Sequence, residues 1–295
     1  MTMSENKFGF VFLVNTLLGS GFFLLPGLAA GAGSGGYLIP LLGMPVIMYA
    51  VLLLYELSML DFKGKLKTAL KVIYSVICIV AASCAMALAS LICIDVMLPG
   101  TSHVLLVGAF SLVIFIATGS KNSIQGLNRV FFLCLAVLLL SMLMTLGEIR
   151  PQRLAPTVRS PMSTLASVAP FFAGIIAVPY LARRGAKKRR ITGAVVFSCI
   201  AYAALCAISI GVLGYECVSG EKYSLYVTIK SGELLLDARM LLASTAFSLV
   251  LLKPSVNLAY TAIDTLGSGK WMRAVMVLSM FILATVLESL IGAAF

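Results

Sequence analysis

Charge is scarce in this chain. Only 11% of its 295 residues are Asp, Glu, Lys or Arg, against about 25% in soluble domains. With 61% apolar residues and a mean hydropathy of +1.07, no soluble core of this size could hide the apolar surface. The composition excludes a water-soluble fold and reads as an all-α polytopic membrane protein. Acidic residues are rarer still, 11 against 22 basic ones. The resulting formal charge of +11 does not indicate a nucleic-acid binder, because the basic residues lie in short clusters between apolar runs. There is a single histidine, the isolated His103, and no Cys-x-x-Cys or Cys/His spacing. A metal site and a disulfide framework are therefore not expected. Cys78, Cys84, Cys93, Cys134, Cys199 and Cys206 fall within apolar runs and read as small packing residues; Cys217 falls in a loop. No phosphate-binding loop or catalytic constellation is present, so neither ATP-driven transport, a cofactor nor an enzyme is indicated.

What is abundant is long apolar runs. A helix needs about 20 apolar residues to cross the bilayer core. Nine windows qualify, at about 8–31, 37–59, 70–97, 103–119, 126–147, 165–182, 192–215, 240–263 and 271–294. The third is the longest and is expected to tilt. The sixth is interrupted by Pro170 and Pro179. Because a second full span follows the first directly, we expect the first run to be a retained helix and not a cleaved leader.

Lysine and arginine set the orientation. With the N-terminus cytoplasmic, 15 of the 22 basic residues fall on the cytoplasmic side, including Lys63–Lys71 and Arg183–Arg190. Six fall outside, and the first two outer loops carry none. Nine spans then leave the C-terminus outside. Residues 148–164, rich in Pro and Arg, form a natural joint between two halves. Residues 216–239 mix charges with apolar residues, which suits either an amphipathic surface helix or a solvated loop.

The first span contains "LLGSGFFLLPG", Leu17 to Gly27. Gly19 and Gly21 lower the cost of leaving helical dihedrals, and Pro26 cannot donate a hydrogen bond. Freed backbone groups inside lipid are tolerated only when buried in protein or facing a polar cavity. A break here presents N–H groups near Phe22 to a carboxylate and carbonyls to an ammonium group. The same small residues also suit close helix packing.

"LLGSGFFLLPG", followed by a Gly-rich connection and "LLLYELSML", resembles the opening of the amino acid–polyamine–organocation (APC) superfamily. "PYLARRGAKKRRITGAVVFSCIAYAALCAISIGVLG" and "NLAYTAIDTLGSGKW" are similar to later elements of such permeases. Amino acid permeases and spore germination permeases share these features. The resemblance implies a LeuT/APC-like inverted-repeat fold with helices 1 and 6 broken. One domain, residues 1–295, then holds a first repeat of about 8–148 and a second of about 165–294, which stops one span short. It further implies a substrate site lined by Leu18, Gly19, Ser20, Gly21 and Phe22, opposed by Ala173, Gly174 and Ile175. The aromatic-Gly-aromatic and Gly-x-Glu elements of many relatives are absent from the sixth span.

Lys253 lies past the middle of the eighth span, where a charge costs about 2.5–3.5 kcal/mol even on lenient scales. Pro254 beside it frees the carbonyl of Val250. In sodium-coupled relatives the first and eighth spans hold a sodium ion, and the resemblance implies that the Lys253 ammonium takes that place. Proton gain and loss there would couple substrate movement to the proton gradient, with Asn257 as a polar neighbour and Glu56 as a further proton carrier. A lysine stem reaching toward the cytoplasm with a structural role is the alternative. The expected function is a proton-coupled secondary transporter of an amino acid or related small amine. The alternative is a ligand sensor of the spore germinant-receptor type working with partner membrane subunits.

Overall fold

The computed structural model describes residues 5–21, 24–157, 173–221, 223–231, 236–267 and 269–294, and these are helical with short connections. The helices are α1 (Glu5–Gly21), α2 (Leu24–Gly31), α3 (Ile39–Leu42), α4 (Met44–Met59), α5 (Gly64–Val96), α6 (His103–Ala117) and α7 (Lys121–Leu143). After residue 172 come α8 (Val178–Arg183), α9 (Lys188–Leu213), α10 (Tyr215–Gly220), α11 (Ser224–Ser231), α12 (Leu236–Leu266) and α13 (Lys270–Ala294). Among the described residues five segments are long and apolar enough to cross a membrane: Ser34–Met59, Gly64–Val96, Lys121–Glu148, Lys188–Leu213 and Lys270–Glu288. They fall on the second, third, fifth, seventh and ninth predicted windows. The first window is two helices, the fourth a 15-residue helix, and the eighth lies within the 31 residues of α12. Residues 165–172 of the sixth window, with Pro170, lie outside the described residues. The protein is a multi-pass integral membrane protein.

Burial explains the arrangement. Every residue from Val250 to Ile263 of α12 is buried, so this helix is wrapped on all sides and sits at the centre. It packs against α5, α7 and α1, while α1 packs against α9, α12 and α7. The outer helices carry apolar stripes that face no protein: Val46, Tyr49 and Leu53 on α4; Leu105, Leu112 and Ile116 on α6; Val275, Leu278, Ile282 and Val286 on α13. Only lipid gives such surface a favourable environment. Between residues 215 and 231 the chain forms the short helices α10 and α11, which turn Val218, Leu225 and Ile229 inward and leave Glu216 and Lys230 outside. The amphipathic reading of this region is thus the one observed, in two pieces.

The joint between the halves is tied down on the side away from the basic loops. The Gly35 N–H donates to the Thr157 carbonyl (3.1 Å), the Thr157 N–H donates to Ser34 Oγ (2.9 Å), and the two hydroxyls lie 2.8 Å apart. At the other end of this strap the Arg150 N–H donates to the Gly211 carbonyl (3.0 Å), and Arg153 reaches the Val212 carbonyl.

Candidate functional site

Helix α1 is described as far as Gly21 and α2 from Leu24; Phe22 and Phe23 between them, where the sequence places a break, lie outside the described residues. Two glycines let the chain crowd together around the last turns of α1. A Cβ at Gly19 would stand 2.7 Å from Pro254 Cδ and 3.2 Å from Lys253 Cβ. A Cβ at Gly174 would stand 2.7 Å from Leu17 Cδ2 and 2.8 Å from Leu17 Cα. The last turn of α1 is therefore gripped by α12 on one side and by the sixth segment on the other. Leu18 and Ile175 are buried here, and Ala173 is half-buried.

In the sixth segment residues 173–175 are helical, Ile176 and Ala177 form a turn, and α8 follows. At the end of α1 and at this turn a tyrosine from a neighbouring helix meets the backbone. Tyr202 Oη on α9 donates to the carbonyls of Leu17 (2.7 Å) and Leu18 (2.9 Å). Tyr74 Oη on α5 donates to the Ile176 carbonyl (2.7 Å). This is how an irregular backbone is accommodated in an apolar interior: the ring supplies packing and the hydroxyl a hydrogen bond. Sequence reasoning missed both tyrosines; the available signal was a phenol placed mid-run in an apolar span. Tyr202→Phe is expected to lower stability by about 1–3 kcal/mol, the usual cost of withdrawing a buried hydrogen-bond donor. Thermal unfolding of the detergent-solubilised protein checks this.

One helical turn separates Lys253 from Asn257, and both are fully buried. Among the described residues, Lys253 Nζ has no hydrogen-bond partner, and neither does Ser255 Oγ. Asn257 anchors a polar network between α12, α1 and α7. Its Nδ2 donates to Thr16 Oγ1 (2.9 Å) and its Oδ1 accepts from Asn128 Nδ2 (2.9 Å). Asn15 Nδ2 in turn donates to Asn128 Oδ1 (2.9 Å). The geometry thus brings Lys253 and Asn257 together against the last turns of α1, and adds Asn128, which the sequence did not single out.

Glu56 lies elsewhere. It is exposed on α4, with Oε1 2.6 Å from Lys188 Nζ at the start of α9, and is not brought together with Lys253. An exposed pair of this kind contributes little, so Glu56→Gln is expected to leave both the unfolding midpoint and ligand binding unchanged. A measurable loss of either would place this carboxylate in the machinery after all. His103 is not isolated: its Nε2 lies 2.6 Å from Ser90 Oγ and its Nδ1 3.3 Å from Glu288 Oε2. Asp95 accepts a hydrogen bond from Tyr223.

From the last turn of α1 toward the basic loops, Phe12 meets Tyr180 and Tyr180 meets Tyr260. Ring centroids lie 6.1 Å apart for Phe12 and Tyr180 and 6.0 Å for Tyr180 and Tyr260, which meet edge to face. This aromatic stack fills the space between α1, α8 and α12.

Comparison with curated proteins gave no match to this chain. A family model described as spore germination protein matches residues 5–256, which include Gly19, Gly174, Tyr74, Tyr202 and Lys253. An all-helical membrane protein with this match belongs to the spore germination permease family.

Proposed function

We propose that the protein is a permease-fold germinant sensor whose ligand is an amino acid or related small amine, held between the end of α1 and the sixth segment. The observation that carries this reading is the close approach of the sixth segment to Leu17, with the carbonyls of Leu17, Leu18 and Ile176 accepting hydrogen bonds from tyrosine hydroxyls. A ligand ammonium can take such carbonyls by displacing a hydroxyl. In this reading the first helix breaks after Gly21, as its Gly-Ser-Gly sequence favours, and N–H groups there would meet a carboxylate. Leu18, Gly19, Ser20, Gly21 and Phe22 on one side, and Ala173, Gly174 and Ile175 on the other, form the ligand site in this reading. The family supports a permease or receptor role over an enzymatic one.

The packing of Gly174 against Leu17, which joins the first segment of each half, suits a reading of the fold as two inverted repeats, about 8–148 and 165–294. The basic loops then face the cytoplasm. Partner membrane subunits would dock on the apolar faces of the outer helices.

A second reading, proton-coupled transport, is favoured by Lys253, a buried amine with no hydrogen-bond partner among the described residues, on the seam between α1 and α12. Lys253 and Asn257 would be its coupling residues.

The test is a panel of amino acids and small amines added to the purified protein in detergent, followed by thermal unfolding. A ligand that binds only the folded state raises the midpoint by mass action. A hit that persists in the wild type and weakens in Tyr202→Phe supports the site. A broad panel without a hit overturns the amino-acid reading. Uptake of the hit into proteoliposomes assigns transport; binding without uptake assigns sensing.

A further inference from the structure

A cavity of about 520 Å³ opens on the basic face, between α4, α5, α8 and the end of α12. Its charge is unbalanced. Arg184 is neutralised by Asp264, whose Oδ2 also accepts from Arg184 Nε at 3.1 Å. Lys71 and Arg183 also line it, and among the described residues no acidic side chain pairs with either. Arg183 donates Nε to the Ser58 carbonyl (3.3 Å), and among the described residues no hydrogen bond occupies its terminal nitrogens.

The rest of the wall is mainly apolar. Leu54, Leu57 and Leu70 line it, and Leu57 is 47% exposed, in line with the exposed Leu53 and Leu60 on α4 and just beyond it. The cavity thus sets basic groups beside an apolar wall that is continuous with the apolar belt. A soluble anion satisfies only the first of these features. An amphiphile with a phosphate and an acyl chain satisfies both, and basic pockets between membrane helices are suited to anionic headgroups.

We propose that this cavity binds an anionic phospholipid, its phosphate held by Lys71 and Arg183 and its chain lying along Leu54 and Leu57. The site is separate from the ligand site at Gly19 and does not depend on that reading. The lipid would touch α4 and α8 on one side and α5 and α12 on the other. Because α8 begins directly after the turn at Ile176–Ala177, occupancy bears on the position of the sixth segment.

The test uses the purified full-length protein in a neutral detergent. Short-chain phosphatidylglycerol, phosphatidylcholine and glycerol phosphate are added separately, and the unfolding midpoint is read. The expected result is a rise with phosphatidylglycerol alone. That rise is lost in K71Q/R183Q and kept in K71R/R183K. An equal rise with phosphatidylcholine, or a rise that survives K71Q/R183Q, overturns the proposal. A rise with glycerol phosphate equal to that with phosphatidylglycerol assigns a free-anion site and overturns the lipid as occupant. Should K71Q/R183Q fold poorly, native mass spectrometry of the unaltered protein in an equimolar lipid mixture decides. Preferential retention of phosphatidylglycerol supports the site, and equal retention overturns it.

Discussion

Lys253→Met is expected to stabilise the protein while abolishing its response to ligand. Methionine keeps the length and flexibility of the lysine stem and removes the polar end that has no partner among the described residues. Buried ionisable groups lacking compensation are costly. Replacing them by apolar residues of similar volume is commonly neutral or favourable, and the insertion cost of such a charge in a membrane core is about 2.5–3.5 kcal/mol. A gain of roughly that order is expected in thermal or denaturant unfolding. Natural proteins keep destabilising groups where function needs them, so the loss of ligand-induced stabilisation or uptake should accompany the gain. A fall in the midpoint would mean that Lys253 holds the α1–α12 seam together, and its proposed coupling role would go with it.

Gly19→Ala and Gly126→Ala should move stability in opposite directions, although the chemical change is the same. Both glycines lie in helices, where alanine is ordinarily better by about 0.5–1 kcal/mol. At Gly126 in α7 an added Cβ meets nothing within 4 Å, so that gain should appear. At Gly19 the Cβ would stand 2.7 Å from Pro254 Cδ. The proline ring is rigid and its helix is buried all round, so neither partner can yield cheaply. Overpacking of this kind costs about 1–3 kcal/mol, and Gly19→Leu should cost more. Ligand binding should weaken in the Gly19 variants and be unchanged in Gly126→Ala. If Gly19→Ala is as stable as the wild type, the close approach of α1 to Lys253–Pro254 does not exist in solution.

Local features were readable from the sequence. The bilayer class came from hydropathy. Gly19–Gly21 with Pro26 marked a weak point in the first run, beside Phe22 and Phe23, which lie outside the described residues. Gly174 was picked out as the small residue of the sixth segment, and it lies against Leu17. Lys253 and Asn257 stood out because polar residues inside apolar runs are rare. Pairings across the fold were not readable. Tyr202 reaches a backbone 185 residues away and Tyr74 one 102 residues away, with no spacing rule to join them. Nothing in the spacing of Asn128 ties it to Asn257 and Asn15, which it meets in the fold. Glu56 looked like an acid in a span because the sequence does not say which side of the helix it occupies; Lys188, 132 residues on, shows that it faces the basic loop.

The strap formed by residues 150–157 has a mechanical consequence. One end is fastened at Ser34 and Gly35, just beyond α2. The other end is fastened at Gly211 and Val212, on the helix that carries Tyr202. Residues 150–157 therefore tether α2 to α9 in addition to the direct packing of Ala30 with Ile210. A swing of α2 would load α9 through this tether as well as through that contact.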